Sequence, residues 1–204
     1  IVTASHNPPQ YNGFKMYSRR MPLLSPQMKA LGKLYGANAF PASKKKGKEK
    51  KFRVLEPYVS DVLARVKARR RLRVVFDSGN GTCGPIARVI FELMGLTVFG
   101  LFEDPESAFL NHLPDPHKPE NLKWLQEEVV KRHADLGVAY DGDADRAAFV
   151  DNEGKIVRGD DAFILFSREA LSKKPKGTIV YELRFSKAVP EVILILAPTS
   201  LAIR

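Results

Sequence analysis

From Arg73 to Tyr140 the chain alternates two kinds of segment. RVVF (Arg73 to Phe76), LTVFGL (Leu96 to Leu101) and DLGVAY (Asp135 to Tyr140) are short runs of apolar, often β-branched residues. Between them lie helical patterns from about Pro85 to Met94 and from Glu120 to His133. Strands separated by helix-length segments are joined by crossovers, and parallel neighbours need such crossovers. The expected fold is α/β, with layered α/β/α domains around mixed, largely parallel sheets. In such sheets ligands gather beyond the carboxyl ends of the strands. Two loops stand there: DSGNGTCG after the first strand and DGDADR after the third.

Around this centre the pattern is less regular. Ser25 to Leu34 has modest helical spacing, and Phe40 to Phe52 is linker-like, with a KKKGKEKK run at Lys44 to Lys51. Tyr58, Val62, Leu63 and Val66 recur at helical intervals in a segment expected to close in the basic cluster Lys67 to Arg73. AAFVDNEGKIV reads as a hairpin turned by Asn152, Glu153 and Gly154. Asp160 to Leu171 is expected as a helix capped by Asp160, and Thr178 to Glu182 as a strand. The tail from Ile193 to Arg204 is apolar without a clear period. The expected division is 1–54, 55–155 and 156–204, the first and last parts incomplete.

DGDADR places Asp141, Asp143 and Asp145 at alternate positions. Carboxylates crowded this closely repel one another unless a cation neutralises them. Hard oxygen ligands select Mg²⁺ or Ca²⁺ over zinc or copper. A calcium-binding helix-loop-helix loop starting at Asp141 needs Gly at its sixth position and Glu at its twelfth, where Arg146 and Asn152 stand instead. A solvated acidic turn is the plain alternative. Arg146 beside the triad suits a site that also admits a phosphate, which arginine holds bidentately.

The N-terminal stretch TASHNPPQYNGFK is a loop, because Pro8 and Pro9 donate no backbone hydrogen bond and keep Asn7 out of helical geometry. Asn12-Gly13 is expected to turn the chain and bring Lys15 back toward Ser5 and His6. Alone, this is a stiff surface connection. If Ser5 carries a phosphate, the two loops explain each other: a phosphoserine oxygen completes a Mg²⁺ shell, and His6, Lys15 and Arg146 offset the remaining charge. The glycine loop offers a competing reading. Gly79 to Gly84 satisfies G-x-G-x-x-G between a strand and a helix, with Glu103 and Asp104 near the distance of a ribose-binding acid, as in a dinucleotide-binding oxidoreductase domain. The same glycines also suit a tight strand-to-helix turn.

A formal net charge of +10 favours an anionic ligand. The basic runs carry no interleaved aromatics and no helix-turn-helix, zinc-finger or RNA-binding signature, so nucleic acid is not the expected partner. No stretch is long and apolar enough for a bilayer-spanning helix. One cysteine, Cys83, excludes an internal disulfide and fits a reducing cytoplasm. The chain starts at Ile1 on what reads as the end of a strand, and a fragment is expected.

With both loops in view the sequence resembles the α-D-phosphohexomutase family, the phosphomannomutases and phosphoglucomutases. The resemblance rests on TASHNPPQYNGFK, DSGNGTCGP, NHLPDPHKPENL (Asn111 to Leu122) and DGDADR, in that order, and covers residues 1 to about 190. It implies that Ser5 is a phosphoserine, that Asp141, Asp143 and Asp145 bind Mg²⁺ with it, and that Arg146 supports the transferring phosphoryl group. His6 and Lys15 match the positions beside the serine, Lys15 as candidate acid and base. It implies a shift of phosphate between O1 and O6 of a hexose phosphate through a hexose 1,6-bisphosphate, and it makes the glycine loop and Asn111 to Leu122 structural. Family members have four domains, with a Gly-Glu-x-Ser-Gly-His loop in the third and a Ser/Thr-rich phosphate loop in the fourth. Neither loop is in this sequence, so the chain alone is expected to turn over poorly.

Overall fold

Val74, Val75 and Phe76 are buried in succession, which a strand achieves only when both faces of its sheet are covered. In the computed structural model, which describes residues 1–40, 45–196 and 201–203, this strand is β3 (Arg73–Asp77). Two small hairpin strands precede it, β1 (Tyr17–Ser18) and β2 (Met21–Pro22), with helices α1 (Ser25–Gly36) and α2 (Leu55–Arg65). After it come α3 (Gly84–Leu93), β4 (Thr97–Leu101), a 3₁₀ turn at Pro119–Leu122, α4 (Lys123–Lys131) and β5 (Leu136–Tyr140). Strands β6 (Ala147–Asp151) and β7 (Ile156–Val157) complete a five-stranded sheet in the order β4-β3-β5-β6-β7. Strands β4, β3 and β5 are mutually parallel, and β6 and β7 are added antiparallel. The sheet is mixed and flanked by helices.

Side-chain alternation assigns the two faces. Val75 packs with Leu122, Leu125, Val129, Ala139 and Val150, a core closed by α4. Gly137 faces the same helix: a Cβ there would lie 2.7 Å from the Val129 side chain. Phe76, on the other face, meets Phe91 of α3 edge to face at 6.0 Å, and α2 packs outside α3. A second core of Leu171, Tyr181, Val189 and Ile193 joins α5 (Gly159–Lys173), β8 (Ile179–Tyr181) and α6 (Ala188–Leu196). The last strand, β9 (Leu201–Ile203), lies parallel to β8.

Several sequence expectations shift. The helix at Leu55 stops at Arg65 with Val66 already extended (φ −123°, ψ 129°), so the cluster Lys67 to Arg73 lies beyond it and does not close it. Helix α5 begins at Gly159 with Arg158 in the cap position and no side-chain cap. Asp160 sits inside its first turn, where its charge complements the helix dipole. The segment Glu120 to His133 is a 3₁₀ turn followed by a shorter helix. The tail resolves into the end of α6 and β9, while residues 41–44, 197–200 and 204, parts of the linker and the tail, lie outside the described residues. Among the described residues no helix is long and apolar enough to cross a membrane.

Candidate active site

Parallel strands align their carboxyl ends on one edge. β3 ends at Asp77, β4 at Leu101 and β5 at Tyr140, so the glycine loop and DGDADR emerge side by side. DGDADR is the hairpin loop between the antiparallel β5 and β6, closed by Asp141 N–H to Arg146 O at 3.2 Å. Inside it the Ala144 N–H donates to Asp141 O at 2.9 Å, and the Arg146 N–H donates to Asp141 Oδ1 at 3.0 Å. Ala144 accepts a left-handed backbone (φ 58°) to complete the turn.

The N-terminal loop is a second hairpin. The Thr3 N–H donates to Gly13 O at 3.0 Å, the Lys15 N–H to Ile1 O at 2.9 Å, and Val2 bridges Phe14. The reversal is made by Ala4 to Asn7 and Pro8 to Tyr11, each closed by a backbone hydrogen bond (3.1 and 3.0 Å), and not by Asn12-Gly13. Gly13 serves close approach instead: a Cβ there would stand 2.6 Å from Thr3 O. Pairing residue 1 with residue 15 is what returns Lys15 to Ser5. Ser5 holds φ at 55°, a left-handed conformation that costs a non-glycine residue about 1–2 kcal/mol. Its N–H is anchored by Thr3 Oγ1 at 2.9 Å.

The two hairpins meet. Ser5 Oγ donates to the buried Asp141 Oδ2 at 2.6 Å, across 136 positions of sequence. Lys15 Nζ lies 2.6 Å from Asp143 Oδ2 and 2.7 Å from Asp145 Oδ2. Arg146 Nη1 is 2.8 Å from His6 Nδ1, and its Nε is 3.8 Å from Asp145 and 4.0 Å from Asp141. A guanidinium only donates, so His6 Nδ1 accepts and the neutral ring carries its proton on Nε2. The Ser5 hydroxyl proton goes to Asp141, which leaves the 3.1 Å contact between Ser5 Oγ and His6 Nδ1 without a proton. All seven residues singled out from the sequence, Ser5, His6, Lys15, Asp141, Asp143, Asp145 and Arg146, lie in one cluster.

Charge sets its protonation. The hydrogen bonds to Asp143 and Asp145 hold Lys15 above its ordinary range. Burial alone would raise the Asp143 carboxyl, but the Lys15 hydrogen bond, with Ser5, the Lys15 charge and Thr3, outweighs it and keeps the group below the usual carboxylate range. One oxygen of each aspartate lies within 4.8 Å of the others. Asp143 Oδ1 is buried with no hydrogen-bond partner. A buried acceptor left unpaired costs free energy, and an all-oxygen set with one orphaned atom fits a hard divalent cation.

Three further residues shape the site without having been singled out within the sequence motifs: Thr3, Gly142 and Pro114. A Cβ on Gly142 would stand 2.3 Å from Ser5 O, so only glycine lets the aspartate loop lie against the serine loop. A glycine between two of the aspartates was the available signal. The glycine loop is taken up the same way. A Cβ on Gly81 would stand 3.0 Å from Gly142 Cα, and one on Gly84 2.0 Å from Glu103 O. Thr82 donates to Gly142 O through both its N–H and its Oγ1, each at 3.1 Å. Glu103 is engaged bidentately by Arg88, at 2.5 Å for each bond. The close approaches that a dinucleotide would use are filled by the protein's own backbone, and Glu103, one of the two candidate ribose acids, is paired.

Fold and site define an α/β protein in which a serine faces a carboxylate triad at the carboxyl edge of a mixed sheet. The chain belongs to the phosphoglucomutase/phosphomannomutase family: residues 1–42 match its alpha/beta/alpha domain I and residues 56–154 its alpha/beta/alpha domain II. It is 36% identical over 193 residues to the phosphomannomutase/phosphoglucomutase of Pseudomonas putida, covering 95% of this chain and 41% of that protein. With the phosphomannomutase of Methanocaldococcus jannaschii it shares 37% over 199 residues, 95% of this chain and 44% of the relative. The crystal structure of a phosphoglucomutase/phosphomannomutase family protein from Burkholderia thailandensis superimposes with a TM-score of 0.91 at 34% identity, covering 99% of this chain and 43% of that one. The chain thus spans less than half the length of these relatives. None of these comparisons supports a dinucleotide-binding oxidoreductase.

Proposed function

We propose that the protein is a phosphohexomutase that shifts phosphate between O1 and O6 of a hexose phosphate through a phosphoserine at Ser5 and a hexose 1,6-bisphosphate. The observation that carries this reading is the 2.6 Å contact of Ser5 Oγ with Asp141, which joins a nucleophile to a metal-type triad. Residues 1–54 then form part of a first domain, 55–155 a second, and 156–204 the start of a third.

In the transfer a sugar hydroxyl oxygen bonds to phosphorus as the Ser5 Oγ–P bond breaks. The sugar oxygen loses its proton, and Oγ regains one on release. Asp141 accepts the hydrogen bond of the dephosphorylated serine and so orients Oγ for the return step. Arg146, which reaches His6 and two triad carboxylates, can swing its fork onto phosphoryl oxygens. Lys15, kept protonated by Asp143 and Asp145, is the proton donor to the departing Oγ, and only as the resulting neutral amine can it take up the proton that the sugar hydroxyl loses. Asp141, Asp143 and Asp145 with phosphoserine would hold Mg²⁺, which when bound neutralises charge on the transferring group. Phosphoryl transfer depends mainly on such positioning and charge neutralisation.

The test is conversion of glucose 1-phosphate and of mannose 1-phosphate by the full-length protein, primed with the hexose 1,6-bisphosphate. Turnover with either sugar, abolished in Ser5→Ala, is expected; undiminished turnover in Ser5→Ala would refute the reading. The 204-residue chain alone should turn over poorly or not at all.

A further inference from the structure

DSGNG, which begins at the last residue of β3, and NHLPDP at Asn111 to Pro116 hold each other. Asn111 Nδ2 donates to Asn80 Oδ1 at 2.8 Å, and Asn80 Nδ2 donates to Asp104 O at 3.0 Å. Deeper in, the wholly buried Asp77 carboxylate accepts the Gly79 N–H on Oδ1 at 2.8 Å and meets His112 Nε2 with Oδ2 at 3.0 Å. A buried carboxylate left unpaired would be severely destabilising.

His112 is matched to that duty. Its Nδ1 is 2.9 Å from Leu113 O, and its Nε2 faces a carboxylate; both partners only accept, so both ring nitrogens carry protons. Trp124 of α4 stacks on the ring at 5.7 Å and 23°, and Phe102, beyond β4, meets it edge-on at 5.4 Å. Asp77 from β3 is the charged group facing the ring. Trp124 and Phe102 do not titrate, and the ring's own loop presents the Leu113 carbonyl. Burial alone would lower the His112 pKa, but the hydrogen bond and charge of Asp77 and the Leu113 carbonyl outweigh it and hold the group above its ordinary value.

What the pair secures is Pro114, two residues on and fully buried. Its Cβ lies 3.0 Å from where a side chain on Gly79 would begin, and its Cγ 3.3 Å from where one on Gly142 would begin. Gly142 in turn lies against Ser5 O and sits between Asp141 and Asp143. We propose that Asp77 and His112 form a positioning clamp that seats Pro114 as a wedge behind Gly142 and thereby sets the spacing of the serine loop from the aspartate triad. His112 touches neither substrate nor metal and acts through Pro114. The metal-affinity arm of the test below rests on the reading of the triad as a metal site; the spectroscopic arm does not.

The experiment is a pH titration of the full-length protein followed by ¹H–¹⁵N spectroscopy of the His112 ring and the Gly142 amide. In the wild type the Gly142 amide should move with the midpoint of His112. In His112→Gln it should be flat across that range. In Pro114→Ala, which keeps the pair and removes the wedge, His112 should still titrate while Gly142 no longer follows. A Gly142 amide that ignores His112 in the wild type, or still follows it in Pro114→Ala, overturns the clamp. Mg²⁺ calorimetry adds the functional consequence: about tenfold weaker binding in His112→Gln, the usual scale for a group that orients ligands. If the wild type fails to bind Mg²⁺, the metal reading falls, and Gly142 still decides the clamp.

Discussion

The backbone approach between the two hairpins predicts the effect of one methyl group. In Gly142→Ala the new Cβ would stand 2.3 Å from Ser5 O and 3.1 Å from Ser5 C, and ordinary contact begins at 3.4 Å. The two nearest atoms are backbone, so no side chain can swing aside to relieve them, and the two hairpins must separate by about 1 Å. Such overpacking costs about 1–3 kcal/mol of stability. A misplacement of about 1 Å between reacting groups costs on the order of 10²-fold in rate. Because Ser5 Oγ starts at 2.6 Å from Asp141, a shift of that size breaks the hydrogen bond outright. The assay is the rate of Ser5 phosphorylation by a hexose 1,6-bisphosphate in the full-length protein, alongside thermal denaturation to show that the variant is folded. Gly32→Ala is the control: it lies within α1 with nothing within 4 Å of the place its new methyl would take, and it should leave the rate unchanged while adding about 0.5–1 kcal/mol of stability. A folded Gly142→Ala that is phosphorylated within about twofold of the wild-type rate would refute the contact argument.

Lys15→Met removes the ammonium that occupies Asp143 and Asp145, and calorimetry should show tighter Mg²⁺ binding than in the wild type; weaker binding would mean that Lys15 does not compete for the triad. Asp143→Asn removes the charge of the triad member whose Oδ1 has no hydrogen-bond partner, and should weaken Mg²⁺ binding by at least about tenfold, while an unchanged affinity would move the metal elsewhere. Burial pushes the Cys83 thiol up to about 12, so the native protein should resist a disulfide reagent at pH 8 and react once unfolded. The raised pKa of His112 contributes stability fully below about pH 6.5, the unfolded value, and that contribution is lost as pH rises through the folded value. Denaturation of His112→Gln against wild type should therefore show a gap that narrows with rising pH.

What the sequence made legible follows from which interactions are local. Val74 to Phe76 and Gly137 to Ala139 form apolar runs between punctuated loops, so the sheet's central strands could be read directly. Three aspartates at alternate positions marked a candidate cation site by their spacing, and the structure brings one oxygen of each within 4.8 Å of the others. The hairpin of β1 and β2 was invisible because each strand is two residues long and its turn uses Arg19 and Arg20, both with positive φ, where glycine or asparagine would have signalled it. Helix α6 was missed because AVPEVILIL is apolar but for Glu191 and has a proline in its first turn, so no amphipathic period marks it. The link between Asp77 and His112 spans 35 positions and depends on how α4 and β3 pack, which no spacing encodes.

Ser5 as phosphoryl carrier working with the aspartate triad is what the proposed function stands on. Intact mass and phosphopeptide mapping of the full-length protein, after incubation with Mg²⁺ and a hexose 1,6-bisphosphate, test it most directly. One phosphoryl group on Ser5 is expected, absent in Ser5→Ala and strongly diminished in Asp143→Asn. A folded protein that takes up no phosphate, or carries it on another residue, would contradict it.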